Sequence, residues 1–523
     1  MKNVTLDALI PREDFEIIDE LEIGNITRNK TTLSIEDLLY DSFFFSALRK
    51  PDFQRETNEW TPEKICSFIE SFVKGELVPA IILWKHKNGY IFVIDGSHRL
   101  SALGAWINDD YGDNKISLEY YDKFIPQEQK DVAEYTRKLV NEKVGEFKEY
   151  QKARRNTEGV PSYIIDNVKN LGSIALQIQW VEGDSGTAEK SFLKINQSAT
   201  PISNAELELI QSRKMPYAIA ARAIMRAGKG HNYWSNFNEN IQDKIKSTAS
   251  MIHQLLFTGN SFSETAELGT LPIGGNFSST STLDLINQTV KIANNINEKS
   301  DYEFDETGEK TLKYLKNTLD LLQLINSKEK FSLGLHPFVY FYSNTGKHKI
   351  ASYYGILELF YRLKNKKKLK DFCKAREKFE QILLKYEFLI QQIVRKWRQS
   401  KRGYKEVADY FEEIIEILNI EPEILIEDLV EKLIKIPKFN YLKTAIIDNN
   451  SSKTNRKDFS RGEKIQIKVN ALIKGIPKCP ICGGYINMNS SSIDHIRRKR
   501  DGGHADLDNA QVTHIYCNTT IKN

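Results

Sequence analysis

The chain has 523 residues, 40% of them hydrophobic, enough for roughly two to four domains with cores of their own. No apolar run reaches transmembrane length, and the N-terminus, Met1-Lys-Asn-Val-Thr-Leu-Asp7, lacks a signal-peptide core; with five cysteines, too few for a disulfide framework, the expectation is a cytoplasmic protein with no membrane partner. The net charge of +4 conceals a local excess: residues 451–523 hold 13 Lys and Arg against 6 Asp and Glu, which leaves 61 against 64 for the rest.

In chain order, Thr61-Pro62-Glu63 starts a helix, with proline in its first turn and Ile65, Phe68, Ile69 and Phe72 at helical spacing. Ala80–Trp84 and Tyr90–Ile94 are predicted as strands joined across Lys87-Asn88-Gly89. The second strand runs into Asp95-Gly96-Ser97-His98-Arg99, and Leu100–Trp106 continues as helix. A strand, a glycine turn and a helix N-terminus make a place where backbone N–H groups and an arginine can bind an anion. Tight turns use the same residues, so a structural turn is the competing reading.

Neighbouring motifs add to it. Pro51-Asp-Phe-Gln54-Arg55 and Trp60 precede the turn; Phe192-Leu-Lys-Ile-Asn196 and Pro201-Ile-Ser-Asn-Ala-Glu206 follow it. In that order they resemble the ParB/sulfiredoxin-like domain of GmrSD-type modification-dependent restriction enzymes, over roughly residues 35–215. The resemblance implies an α/β domain that uses a nucleoside triphosphate, with NTP hydrolysis as a second activity. It places Gln54, Arg55, Asp95, Gly96, His98, Arg99 and Asn196 at the nucleotide pocket. Ser97-His98 stands where the family has two glutamines, and His98 can itself act as acid or base.

Pro126–Arg155 is charged and is predicted as a long exposed helix inserted in this domain. From about Ala205 to Ile436, apolar residues recur at three and four, as in Phe372, Phe379, Leu383, Tyr386, Ile390 and Val394, the core stripe of a helical domain. His336 and the lone Cys66 and Cys373 are read as packed core residues. Asp448–Lys457 is polar and without apolar anchors, a linker that frees the terminal module to swing.

The last segment carries the chemistry. Cys479-Pro-Ile-Cys482 and His514-Ile-Tyr-Cys517 are two ligand pairs, each with two residues between, spaced to close a tetrahedral Cys3His zinc site. Four protein ligands leave no open position, so the zinc is expected to be structural and to supply most of a small module's folding energy, on the order of 10 kcal/mol.

Between the pairs lie Asp494-His495-Ile496, Gly502-Gly503 and Asn509, and Asn518 follows the last ligand. This arrangement resembles the HNH nucleases, the ββα-metal endonucleases. The resemblance implies His495 as general base, Asp494 and Asn518 as ligands of one catalytic Mg²⁺ or Mn²⁺, and Asn509 as the brace of the loop that carries the histidine. His514 stands where many members have a third zinc cysteine, and Arg498 where a proline is common. Arg497-Arg498-Lys499-Arg500, beside the proposed base, are expected to grip phosphates of DNA. His504 is read as a loop residue or a phosphate contact.

The expectation is therefore a multidomain α+β protein. It has a ParB/sulfiredoxin-like α/β domain (1–215), a mostly helical middle (216–447), a linker (448–460) and a zinc-stabilised ββα-metal (HNH) module (461–523). Its expected activity is metal-dependent cleavage of double-stranded DNA under nucleotide or modification control, in restriction or anti-phage defence. Cutting both strands from one active site needs two chains or two visits, which makes a homodimer a natural arrangement. The alternatives are an RNA or single-strand nuclease, and a non-catalytic zinc-containing regulator that only binds nucleic acid.

Overall fold

The computed structural model describes residues 3–13, 15, 29–52, 54, 60–86, 89–121, 123, 125, 127–199, 212–229, 231–260, 262, 268–277, 282–296, 304–451 and 459–522. The side chains of 128, 196–199 and 448–451 lie outside that description. The chain divides into two compact units, Met1–Arg213 with Lys229–Ser235, and Lys214–Gly228 with Asn236–Asn523. No helix is long and apolar enough to cross a membrane among the described residues.

The first unit is built on a six-stranded sheet ordered β1-β3-β5-β4-β6-β2. Its strands are β1 (Arg12–Glu13), β2 (Thr32–Leu33), β3 (Leu48–Pro51), β4 (Ile81–Lys85), β5 (Ile91–Asp95) and β6 (Leu176–Val181). β4 and β5 form the expected antiparallel pair, with Leu83 opposite Val93 and a register shift between Ile82 and Leu83. β3 pairs with β5, and β6 with β4, in parallel, so β5 and its C-terminal turn lie inside the sheet. The helices are α1 (Phe43–Ala47), α2 (Pro62–Val73), α3 (Ser97–Asn108), α4 (Lys115–Tyr120), α5 (Gln127–Lys143), α6 (Phe147–Ala153), α7 (Ser162–Leu171) and α8 (Ser185–Ala199).

α2 starts where the sequence places it, with the Thr61 hydroxyl accepting the Lys64 N–H and proline in the first turn. Pro126–Arg155 departs from the expectation of one long exposed helix. It forms α5 and α6, broken at Gly145, and buries Ala133, Val140 and Tyr150 in the core shared with Ile65 and Ile69 of α2. Its many charges line only the outer face, while the few apolar residues recur on the inner one.

The second unit is helical, with one small hairpin. Its helices are α9 (Pro216–Met225), α10 (Glu239–Phe257), α11 (Thr282–Ala293), α12 (Glu309–Ile325), α13 (Pro337–Phe341), α14 (Ile350–Asn365), α15 (Leu369–Lys385), α16 (Glu387–Trp397), α17 (Ser400–Ile420), α18 (Ile426–Lys435), α19 (Leu442–Ser451) and α20 (Arg461–Lys474). The stripe from Phe372 to Val394 spans α15 and α16, which break at Tyr386, and it buries Phe372, Phe379, Leu383 and Ile390. Cys66, Cys373 and His336 are all buried, as the sequence implied. Burial pushes His336 down to about 3.

The linker and the module differ from expectation. α19 continues through Ser451, residues 452–458 lie outside the described residues, and Ser460 then caps α20 in a capping box with Glu463. The terminal module does not hang free of the helices. Tyr516 N donates to Ser332 O at 3.1 Å, Asn487 Nδ2 to Asn326 Oδ1 at 3.2 Å, and Thr519 Oγ1 to Lys330 O at 2.8 Å. These contacts fall on the end of α12 and the segment that follows it. A polar linker shows that a stretch of chain has no core of its own; it does not show whether the next module finds a surface to pack on.

Candidate active site and metal centre

The module begins with the cysteine knuckle. Cys479 N donates to Gly484 O and Gly483 N to Cys479 O, both at 2.8 Å, which turns Cys479 and Cys482 toward one point. The hairpin β7 (Ser491–His495) and β8 (Ala510–His514) then brings His514 back, and a short π-helical turn, Cys517–Ile521, supplies Cys517. The ligand atoms of Cys479, Cys482, His514 and Cys517 all lie within 4.8 Å of one another. His514 Nδ1 is 3.3 Å from Cys482 Sγ and 3.9 Å from Cys517 Sγ.

His514 Nε2 lies 3.0 Å from the Tyr485 carbonyl. A carbonyl only accepts, so Nε2 carries the proton and the Nδ1 lone pair faces the sulfurs, as a metal ligand requires. Mutual hydrogen bonding with Cys482 and Cys517 drives the Cys479 thiol far down, and the same bonding drives Cys482 up. Cys517 also rises, chiefly through its hydrogen bond with Cys373. Three sulfurs so close together cannot all ionise without a compensating cation, and this soft donor set suits zinc.

The knuckle is gripped from α15. Arg376, wholly buried, donates from Nε to Glu380 Oε1 at 2.8 Å and from Nη1 to Leu333 O at 2.7 Å. Glu380 Oε1 also accepts the Tyr340 hydroxyl at 2.7 Å, and its Oε2 accepts the Tyr485 N–H at 2.6 Å. A Cβ on Gly484 would stand 2.5 Å from Arg376 Nε, so only glycine lets the knuckle come this close. Glu380 thus holds the backbone N–H of Tyr485, the residue whose carbonyl orients His514.

On β7, Asp494 sits opposite Gln511 and His495 opposite Ala510. Asp494 is 6% exposed and His495 half-buried, so the acid is held inside while the imidazole reaches solvent. Asp494 Oδ2 accepts from Gln511 Nε2 at 2.7 Å and from Lys522 Nζ at 2.6 Å. The same ammonium contacts the carbonyls of His495 and Ile496. Hard oxygens therefore converge on a cation at this point, the donor chemistry that Mg²⁺ or Mn²⁺ takes. Asn518 Nδ2 donates to Ser492 Oγ and Ile493 O, each at 3.3 Å, which places its amide against the strand beside Asp494.

Asn509 sits where a brace is needed. Its Oδ1 accepts Arg497 N at 2.7 Å, and its Nδ2 donates to Arg497 O at 3.2 Å and His504 O at 2.7 Å, tying the loop after His495 back to β8. Arg497 is exposed and bends back on its own loop, with Nε on Asp501 O at 2.8 Å; Lys499 and Arg500 are also exposed and Arg498 is half-buried. His504 is exposed.

At the other candidate site, Asp95 ends β5, Gly96 turns with φ 99°, and Arg99 lies one turn into α3. Arg99 Nη2 donates to Asp95 Oδ2 at 2.6 Å and Ala80 O at 3.2 Å. Gln54 Nε2 donates to Ser97 Oγ at 3.4 Å, and Arg12 Nη2 holds Gln54 O at 3.0 Å. His98 stacks on Trp60, with ring centroids 5.7 Å apart. Gln54 Oε1 and Arg99 Nε are buried with no hydrogen-bond partner among the described residues. Arg55 lies outside the described residues; Asn196 falls on α8, its side chain outside the description.

Sequence reasoning missed several residues. Gln511 and Lys522 hold Asp494, and period-two alternation along β8 places Gln511 on a face without naming its partner. The buried Arg376–Glu380 pair left no motif. Nor did Asp7, which accepts from Arg12 at 2.7 and 2.8 Å and from Lys50 at 2.7 Å and so anchors the strand that leads to Gln54.

A two-stranded antiparallel ribbon carrying Asp-His, a braced loop and a Cys3His knuckle defines a metal-dependent nuclease of the ββα type. Residues 479–523 match the family model for the HNH endonuclease, and residues 35–212 match that for the GmrSD restriction endonuclease, N-terminal domain. The chain therefore carries both domains, which together support a metal-dependent HNH nuclease in restriction or defence. Searches among curated proteins and among solved structures returned no match.

Proposed function

We propose that the protein is a DNA endonuclease in which His495 is the general base and a nucleoside triphosphate bound by the N-terminal domain controls cutting. The observation that carries the reading is Asp494, buried at the strand end beside half-buried His495, with its carboxylate already seated on a cation. Asp494 and Asn518 would hold Mg²⁺ or Mn²⁺, which when bound supplies charge stabilisation to the phosphate and the leaving oxygen. His495 takes a proton from water as the water oxygen bonds to phosphorus and the P–O bond to the leaving sugar oxygen opens. Asn509 keeps the histidine's loop in place. Arg498, Lys499 and Arg500 contact flanking phosphates, and Arg497 shapes their loop. Zinc at Cys479, Cys482, His514 and Cys517 is structural, because four protein ligands close the site.

Gln54, Arg55, Asp95, Gly96, His98, Arg99 and Asn196 form the nucleotide pocket. The unsatisfied buried donor Arg99 Nε, at the N-terminus of α3, supports a polyanionic ligand there, and the unsatisfied Gln54 Oε1 offers an acceptor for a ligand hydroxyl or amine. Double-strand cutting proceeds through two chains or two visits, and the protein works in the cytoplasm. The test compares cutting of modified and unmodified phage DNA with Mg²⁺ or Mn²⁺, with and without each nucleoside triphosphate. Metal-dependent cutting that responds to a triphosphate is expected. Cutting of RNA but not DNA, or none at all, would overturn the reading.

A further inference from the structure

Several cations in the helical part of the second unit are held by acids. Arg362 pairs with Glu358 at 2.7 Å, Lys438 with Glu406 at 3.0 Å, and Lys432 with Glu421 at 2.5 Å. One corner is different. Where α16 turns into α17, the run Arg395-Lys-Trp-Arg-Gln-Ser-Lys-Arg-Gly-Tyr-Lys405 contains six cations and no acid. Lys401 pairs with Asp284, and Lys396 lies 3.8 Å over the Tyr441 ring. Arg395, Arg398 and Arg402 are exposed and have no acidic partner among the described residues.

Two further features set the corner apart. α15, α16, α18 and α20 each carry an acid in the first turn, as the helix dipole favours; α17, like α9, α13, α14 and α19, has none, and it places two cations there, Lys401 and Arg402. Asp284 already offsets Lys401; a cation at the positive end of a helix opposes folding, so Arg402 is the one left for an outside anion to offset. Trp397, 39% exposed, packs its Cβ side over Gly403 and leaves a flat apolar face among the arginines. Three of the cations without an acidic partner are arginines, whose planar forks match phosphate oxygens and shed water more readily than lysine.

We propose that the α16–α17 corner is a second contact for the phosphate backbone of duplex DNA, outside the nuclease module. The proposal rests on the DNA reading of the HNH site. The two lie near one another along the chain: Arg395 is fifteen residues along α15 and α16 from Glu380, which touches the knuckle. At ~1.5 Å per helical residue, that path puts the corner no more than about 25 Å from the docking contact, within one duplex turn of about 34 Å. Phosphates around the cut site and phosphates nearly a turn away would then be held together, fixing the direction in which the duplex crosses the hairpin.

The test uses the full chain with Arg395→Gln, Arg398→Gln and Arg402→Gln combined. Binding to a labelled duplex of roughly three helical turns is measured by anisotropy over a range of salt, without divalent metal so that nothing is cut. Each lost phosphate contact lowers the slope of log K against log salt by about 0.9, so a fall of roughly 2–3 is expected, with Kd raised by on the order of tenfold or more. Zinc content and cutting at saturating DNA should stay as in the wild type. A paired-cation control, Lys432→Gln with Lys385→Gln, the latter held by Glu427, should leave the slope alone. An unchanged slope in the triple variant, or an equal fall in the control, overturns the proposal, as does a loss seen on RNA alone. Failure of the wild type to bind or cut DNA would instead remove the DNA reading beneath it.

Discussion

His514 shows how one side chain serves two purposes. Its Nδ1 faces Cys482 and Cys517, and its Nε2–H is fixed by Tyr485 O, so the ring cannot turn without losing a bond on either side. Replacing Cys479 or Cys517 with serine removes a soft ligand from a set that needs the metal to hold its thiolates together. The expected outcome is loss of bound zinc and of ordered structure from Lys478 onward, because apparent zinc binding of about 10–16 kcal/mol is folding energy for such a module. Elemental analysis that finds one zinc per chain in each variant would contradict the Cys3His site. These four ligands were legible in the sequence, because Cys-x-x-Cys and His-x-x-Cys fix their geometry locally. Asp494's partners were not: Gln511 lies across the ribbon and Lys522 follows a π-turn, and neither spacing announces a contact.

At the scale of elements, α15 holds the knuckle through buried charge. Glu380→Gln leaves Arg376 without its ion partner and weakens the acceptor for Tyr485 N–H; breaking a buried pair costs about 3–5 kcal/mol. Faster amide exchange at Tyr485 and lower zinc retention under a chelator are expected in the full chain. Exchange and retention equal to the wild type would show that the knuckle stands by itself. By the same reasoning, a fragment starting at Phe459 lacks Glu380, Ser332 and Asn326 and should be a poor nuclease. α14 supplies a pH-dependent element just before its start. His348, with Nε2 3.0 Å from Ile273 O, is pushed down to about 4 by burial. The folded value lies below the ordinary 6.5, so the unfolded chain binds the proton more readily. The His348 contribution is therefore complete above pH 6.5 and is lost as pH falls from there toward 4. Urea midpoints measured between those limits should drop with acid, and His348→Asn should flatten the drop; an unaltered profile in the variant would count against it. Helix starts such as Thr61-Pro62 and the β4–β5 pair followed from local chemistry. The packing of α5 and the docking of the hairpin depend on surfaces distant in sequence, which periodicity alone cannot place.

At the scale of the whole molecule, the two matched domains occupy opposite ends of the chain, and a restriction nuclease must not cut its host's DNA without restraint. If a triphosphate in the Asp95–Arg99 turn governs the HNH site, it must favour one arrangement of the protein over another by about 1–3 kcal/mol. Arg99→Ala removes the partner of Asp95 and one cation of the pocket. It should abolish triphosphate binding in calorimetry and make cutting insensitive to nucleotide; retained binding would exclude Arg99 from the pocket. The central claim, that the C-terminal module is a working HNH nuclease, has a more direct test in plasmid nicking by full-length His495→Ala with Mg²⁺ or Mn²⁺. General-base catalysis is typically worth ~10²–10⁴-fold, so the account predicts a loss of that order with zinc content and DNA binding unchanged. Nicking at a near-normal rate would contradict it.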